Sequence, residues 1–134
     1  MVNTEKDLRE DEKILVDWIK EDNVEKVREL VSNIDDTNSV IKYRDENGLG
    51  VIHWAADRGN KDIVKMLLNI KGLDVNLQDN DGQTALHYAC SCSHIEVVKL
   101  LTDCPNVDRT IRDNDHLLPE DTVIDKKLIN LLRE

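Results

Sequence analysis

A chain of 134 residues with 28 acidic against 18 basic side chains carries a formal charge of −10. With a pI near 4.8 and no local Lys/Arg stripe, it repels phosphate, so nucleic acid is excluded as a partner. At 34% charged and 40% hydrophobic residues the composition is that of a soluble domain, and no run approaches the roughly 18 apolar residues of a membrane span.

In chain order, residues 1–12 are polar and acidic, with no charged-then-apolar leader. The folded domain is expected over 13–134. Its first unit, 13–44, opens with Ile14, Leu15, Trp18 and Ile19 at helical spacing and the polar Asp17, Lys20 and Glu21 between them. The following stretch from Glu21 to Val31 aligns with Arg58 to Leu68 at an offset of 59 − 22 = 37 residues. This predicts a helix pair without a preceding turn, the form of an N-terminal cap. Trp18 stands where the later units carry Ala55 and Ala89, which suits an end on which nothing stacks.

Two stretches, 45–78 and 79–112, then superimpose without a gap at a register of 79 − 45 = 34 residues. Asp45-Glu46-Asn47-Gly48 pairs with Asp79-Asn80-Asp81-Gly82, and His53-Trp54-Ala55-Ala56 pairs with His87-Tyr88-Ala89-Cys90. Ile63-Val64-Lys65-Met66-Leu67-Leu68 pairs with Val97-Val98-Lys99-Leu100-Leu101-Thr102. A repeat of this length is a supersecondary unit that gains stability by stacking on its neighbours, so function belongs on the surface of the stack. The last unit, 113–134, keeps the turn register in Asp113-Asn114-Asp115, but His116 replaces the turn glycine. Leu118-Pro119-Glu120-Asp121 then sets polar groups where an inner unit has Leu and His. A short helix from about Lys126 to Leu132 closes a core that must be aliphatic, since Phe is absent.

The run Gly82-Gln83-Thr84-Ala85-Leu86-His87-Tyr88-Ala89, followed by Ile95-Glu96-Val97-Val98-Lys99-Leu100-Leu101, resembles the ankyrin repeat. The resemblance implies an all-α solenoid of stacked helix-turn-helix units joined by β-turn or hairpin loops. It also implies structural roles for Thr84 and His87, whose hydroxyl and ring satisfy nearby groups. The preceding repeat departs from the pattern at Gly50 and Val51, so a looser start is expected for its first helix than for the one at Leu86.

Cys90, Cys92 and Cys104 are an odd number without disulfide-like spacing, pointing to a reducing, intracellular setting, cytoplasmic or nuclear. Cys90, Cys92 and His94 invite a zinc reading. On one helix Cys90 and His94 could share a face while Cys92 points elsewhere, so a core thiol at Cys90 and an exposed one at Cys92 are preferred, and no metal is expected. His53 and His87 occupy one repeated position, and no nucleophile with a base and an orienting acid, no phosphate loop and no H-E-x-x-H pattern is present. Neither catalysis nor a cofactor is expected.

What remains is the groove that the ankyrin resemblance implies, formed by turn tips and the exposed side of the first helices. Carried over position by position, it comprises Arg44, Glu46, Asn47 and Leu49; Gln78, Asn80, Asp81 and Gln83; and Arg112, Asn114, Asp115 and Leu117. Asp57, Arg58, Ser91 and Cys92 come from the helices. Leu49 and Leu117 are expected to be exposed, and the acid-leaning set suits a basic or amphipathic segment of a protein partner. The chain itself is expected to be a monomer.

A second resemblance rests on His53-Trp54-Ala55 with Asp57-Arg58-Gly59, on 78–89, on Leu118-Pro119-Glu120, and on Asp17-Trp18 with Glu21-Asp22-Asn23. These are similar to the C-terminal ankyrin half of the long acyl-CoA-binding-domain proteins. In that family a separate N-terminal helical domain holds the fatty acyl-CoA. The resemblance implies an interaction arm, with long-chain acyl-CoA bound only through an upstream domain. The alternative is a free-standing ankyrin adaptor or inhibitor in signalling or transcription.

Overall fold

The computed structural model describes residues 14–33 and 38–133; the acidic 1–12 segment lies outside them. Helix α1 covers 14–20, followed by α2 (Val24–Asn33), α3 (Asn38–Lys42), α4 (Val51–Arg58), α5 (Lys61–Leu68), α6 (Ala85–Ser91) and α7 (Ile95–Thr102). A 3-10 turn (Pro119–Thr122) and α8 (Lys126–Arg133) complete the chain. Among the described residues there is no strand, and no helix is long and apolar enough to cross a membrane.

The helices lie in two rows. In one, α4 packs on α6 and α6 on the 3-10 turn; in the other, α2 packs on α5 and α5 on α7. Between the rows α4 meets α5 and α6 meets α7. The core between them is aliphatic: Ile19, Val27, Ile52, Ile63, Val64, Leu67, Val97, Val98, Leu101 and Leu128 are all buried. The fully buried pairs Ala55-Ala56 and Ala89-Cys90 keep side-chain volume small along the α4 and α6 row.

Each first helix ends on a left-handed residue at one repeated position, Asp22 (φ 57), Gly59 (φ 74) and Ser93 (φ 57). That conformation reverses the chain into the second helix. At Gly59 the glycine is obligatory, because a Cβ would lie 2.4 Å from His94 Nδ1. The early stop of α6 also settles the helix-sharing idea for Cys90 and His94. The chain turns at Ser93, and His94 is the N-cap of α7 with its Nε2 2.8 Å from the Asp57 carbonyl oxygen.

The starts of α4 and α6 lie in register, at Val51 and Ala85. They differ by one acceptor. Thr84 Oγ1 accepts from the His87 backbone N–H at 3.4 Å, whereas Gly50 offers no side chain to His53. A Cβ at Gly50 would stand 2.7 Å from Cδ2 of Leu77, at the end of the same repeat, so a larger residue there would require the Leu77 side chain to shift. The connection between the first two units, longer by the difference between the 37- and 34-residue offsets, contains α3, which sets Val40 into the core at 1% exposure.

Candidate functional site

The candidate site grows from one aspartate per repeat. Asp45 Oδ1 accepts the backbone N–H groups of Asn47 and Leu49 at 3.0 and 2.9 Å. Asp79 Oδ1 does the same for Asp81 and Gln83, both at 2.9 Å, and Asp113 Oδ1 for Asp115 and Leu117, both at 2.9 Å. Carboxylates that accept two backbone donors are strong loop organisers, and three in register produce three superimposable turns.

The turns are then stitched to one another. The Asn80 backbone N–H donates to the Asn47 carbonyl at 3.0 Å, and that of Asn114 to Asp81 at 2.9 Å. Their side-chain amides repeat the link, from Asn80 Nδ2 to the Glu46 carbonyl at 3.1 Å and from Asn114 Nδ2 to the Asn80 carbonyl at 3.0 Å. Buried histidines tie each first helix to the following turn. His53 Nδ1 accepts the Gly50 N–H at 3.0 Å, which makes Nε2 the protonated nitrogen, and it donates to the Gln83 carbonyl at 2.9 Å. His87 repeats this with the Thr84 N–H at 3.1 Å and the Leu117 carbonyl at 2.9 Å. In the last unit Asp121 takes the histidine's place, accepting the Leu118 N–H at 2.8 Å. Burial is the main cause that lowers the His53 pKa from its ordinary value, against the raising effects of the Gln83 carbonyl and the nearby Asp79.

Placed on this frame, the sixteen groove positions divide. Glu46, Asn47, Asp81, Asp115, Ser91 and Cys92 present exposed side chains, and Asp57 is half-buried. Leu117 is 40% exposed, but Leu49 is only 8% exposed, so the expected pair of exposed leucines is corrected to one. Both leucines have their backbone N–H held by the turn aspartate, so the difference lies in the stack: the turn of 79–83 lies beside that of Leu49, whereas Leu117 belongs to the last turn among the described residues. Asn80 and Asn114 are exposed but spend their amides on the neighbouring turn. Gln78 Nε2 is bound to the Gly82 carbonyl at 3.0 Å, Arg112 to the His116 carbonyl at 2.9 Å, and Arg44 reaches the Gln78 carbonyl at 3.5 Å. The half-buried Gln83 serves through its carbonyl. Arg58 pairs with Asp22 at 2.8 Å, which raises its pKa further.

The residues that reading by register passed over are aromatic. Trp54 and Tyr88 occupy one repeated position on α4 and α6, both half-buried. Trp54 Nε1 donates to Asp45 Oδ2 at 3.1 Å, and the Tyr88 hydroxyl donates to Asp79 Oδ2. These bonds join turn to helix and set the aromatic rings where the two meet. The ring of Tyr88 lies edge-on to His53, with centroids 5.5 Å apart. Burial, the Asp79 hydrogen bond, and the charges of Asp79, Asp81 and Asp57 together push the Tyr88 pKa well above its ordinary value. The available signal was the 34-residue recurrence of an aromatic beside a repeated Asp, nine residues apart in each repeat.

The thiols are poor candidates for chemistry. Burial pushes Cys90 up to about 12, and burial with the Asp57 charge raises Cys92, whose Sγ lies 3.7 Å from Asp57 Oδ1. Both are protonated at neutral pH, and the thiolate is the nucleophile and the metal ligand. Among the described residues no group of three or more His, Cys, Asp or Glu is disposed to hold a metal.

A family model described as ankyrin repeats (3 copies) matches residues 14–113. Acyl-CoA-binding domain-containing protein 6 of Danio rerio is 40% identical over 64 residues, which are 48% of this chain and 20% of that protein. The Homo sapiens protein of the same name is 39% identical over 64 residues, 48% of this chain and 22% of its own length. That of Rattus norvegicus is 41% identical over 64 residues, with the same two shares. The chain thus spans about a fifth of the length of these curated relatives.

Proposed function

The chain belongs to the ankyrin-repeat family, and on that premise we propose that it is a non-catalytic protein-interaction module, the repeat-bearing part of a fatty acyl-CoA-binding protein. The observation that carries the first half is the continuous edge of three stitched turns. Its exposed tips are fixed before any partner arrives, which removes much of the ordering cost of association. The second half is supported by the relatives, whose name states an acyl-CoA-binding domain and most of whose length lies outside the match. The groove of this chain is lined by Asp, Asn, Glu and Arg, a surface unsuited to shielding an acyl chain from water.

Calorimetry with palmitoyl-CoA should accordingly give no saturable heat with this chain. Peptides selected on the chain from a random display library should lose affinity when Asp81, Asp115 and Leu117 are changed together to alanine, because interface energy concentrates in a few clustered side chains. Stoichiometric palmitoyl-CoA binding would overturn the division between ligand domain and interaction arm. Unchanged peptide affinity in the triple variant would overturn the groove.

A further inference from the structure

The first repeat already shows a cation on the aromatic row. Lys20, from α1, places its Nζ 4.2 Å from the centroid of the Trp54 ring, the geometry of a cation–π contact. Lys20 corresponds by the 37-residue offset to Asp57 and by the next 34 residues to Ser91. The side chain that the preceding unit offers to the aromatic is therefore a cation at Trp54 and a carboxylate at Tyr88. Among the described residues no cation lies over Tyr88. Its surroundings are Asp57 and Asp81, both close enough to disfavour its ionisation, and Asp79 on its hydroxyl.

Resting on the groove reading above, we infer that the half-buried Tyr88 ring, with Asp57 and Asp81, is the seat for a lysine or arginine side chain of the partner segment. That side chain would stand over Tyr88 as Lys20 stands over Trp54. Two features favour a partner's cation over one supplied by the chain. The unit that would supply it internally has an aspartate instead, and Arg58, the neighbouring cation, is committed to Asp22 at 2.8 Å. An aromatic face beside two carboxylates binds a cation by quadrupole and charge together, and discriminates against acidic segments by the same charges. Asp79 adds to the field but stays a structural group, since its two oxygens are engaged by the turn and by Tyr88.

The test is a substitution that fills the seat from within. In Asp57→Lys the new ammonium recreates the arrangement of the first repeat, while the Asp57 backbone carbonyl that receives His94 is untouched. Random peptides displayed on phage should be selected on the full chain and titrated against both forms, with circular dichroism confirming an unchanged fold. Selected peptides should be enriched in Lys or Arg, and Asp57→Lys should weaken them about tenfold or more, with Asp57→Asn intermediate. Tyr88→Phe, which keeps the ring, should retain most of the affinity. Peptides free of Lys and Arg that lose affinity in the Asp81, Asp115 and Leu117 variant but not in Asp57→Lys would overturn this inference and leave the groove standing. Peptides indifferent to both variants would overturn both.

Discussion

Single residues carry strain in this fold where the repeat pattern asks for glycine and does not have it. Ser93 (φ 57) and His116 (φ 65) occupy the positions of Gly59 and Gly82. A left-handed non-glycine residue costs about 1–2 kcal/mol; glycine relieves that strain, and the greater flexibility of its unfolded chain offsets part of the gain. Ser93→Gly and His116→Gly should each stabilise by about 0.5–1 kcal/mol in urea denaturation, whereas Gly59→Ala should destabilise because its Cβ meets His94. His53 supplies the pH dependence. Its folded pKa lies below its ordinary value of 6.5, so on acidification the unfolded chain takes up the proton first. Stability is full above that value and falls as pH drops through and below it. The melting midpoint should decline from pH 7.5 to 5.5, and His53→Gln, less stable overall, should show a flatter decline. A flat wild-type profile across that range would contradict the buried, neutral ring.

At the scale of elements, the stack is held by its second helices, where Leu67 and Leu101 share one register and are both fully buried. Leu101→Ala should cost about 2–5 kcal/mol through lost transfer and the cavity left behind, while exposed Lys65→Ala should cost under about 0.5 kcal/mol. Equal small losses in chemical denaturation would refute the assigned register. That register was legible because Asp45, Gly48, His53 and Leu67 each find their counterpart 34 residues on, and the helix pairs follow from it. Three features escaped for physical reasons. The helix α3 is short and breaks the repeat, so no neighbour predicted it. Leu49 and Leu117 hold one repeated position and the same turn hydrogen bonds, and their different burial follows from their place in the stack, which the repeat pattern does not encode. Trp54 and Tyr88 share their helices with alanines and histidines that are fully buried, and helical periodicity does not distinguish a half-buried ring from a core one.

The molecule as a whole is a row of turns welded to two rows of helices, with the exposed acids Glu46, Asp81 and Asp115 on the welded edge. Neither a metal nor a disulfide is needed to close its core, so excess chelator and reductant should leave the helical circular dichroism and melting midpoint unchanged; a clear drop with chelator would revive a site at Cys92 and His94. On the proposed function, partners are received on the turn and aromatic edge and not on the row of second helices. The most direct test is a map of amide chemical-shift changes on adding a library-selected peptide to the isotope-labelled chain. Changes should cluster at Trp54, Asp57, Asp81, Tyr88 and Asp115, with Lys65 and Lys99 silent; changes centred on Lys65 and Lys99, with the turns silent, would place the partner on the second helices instead.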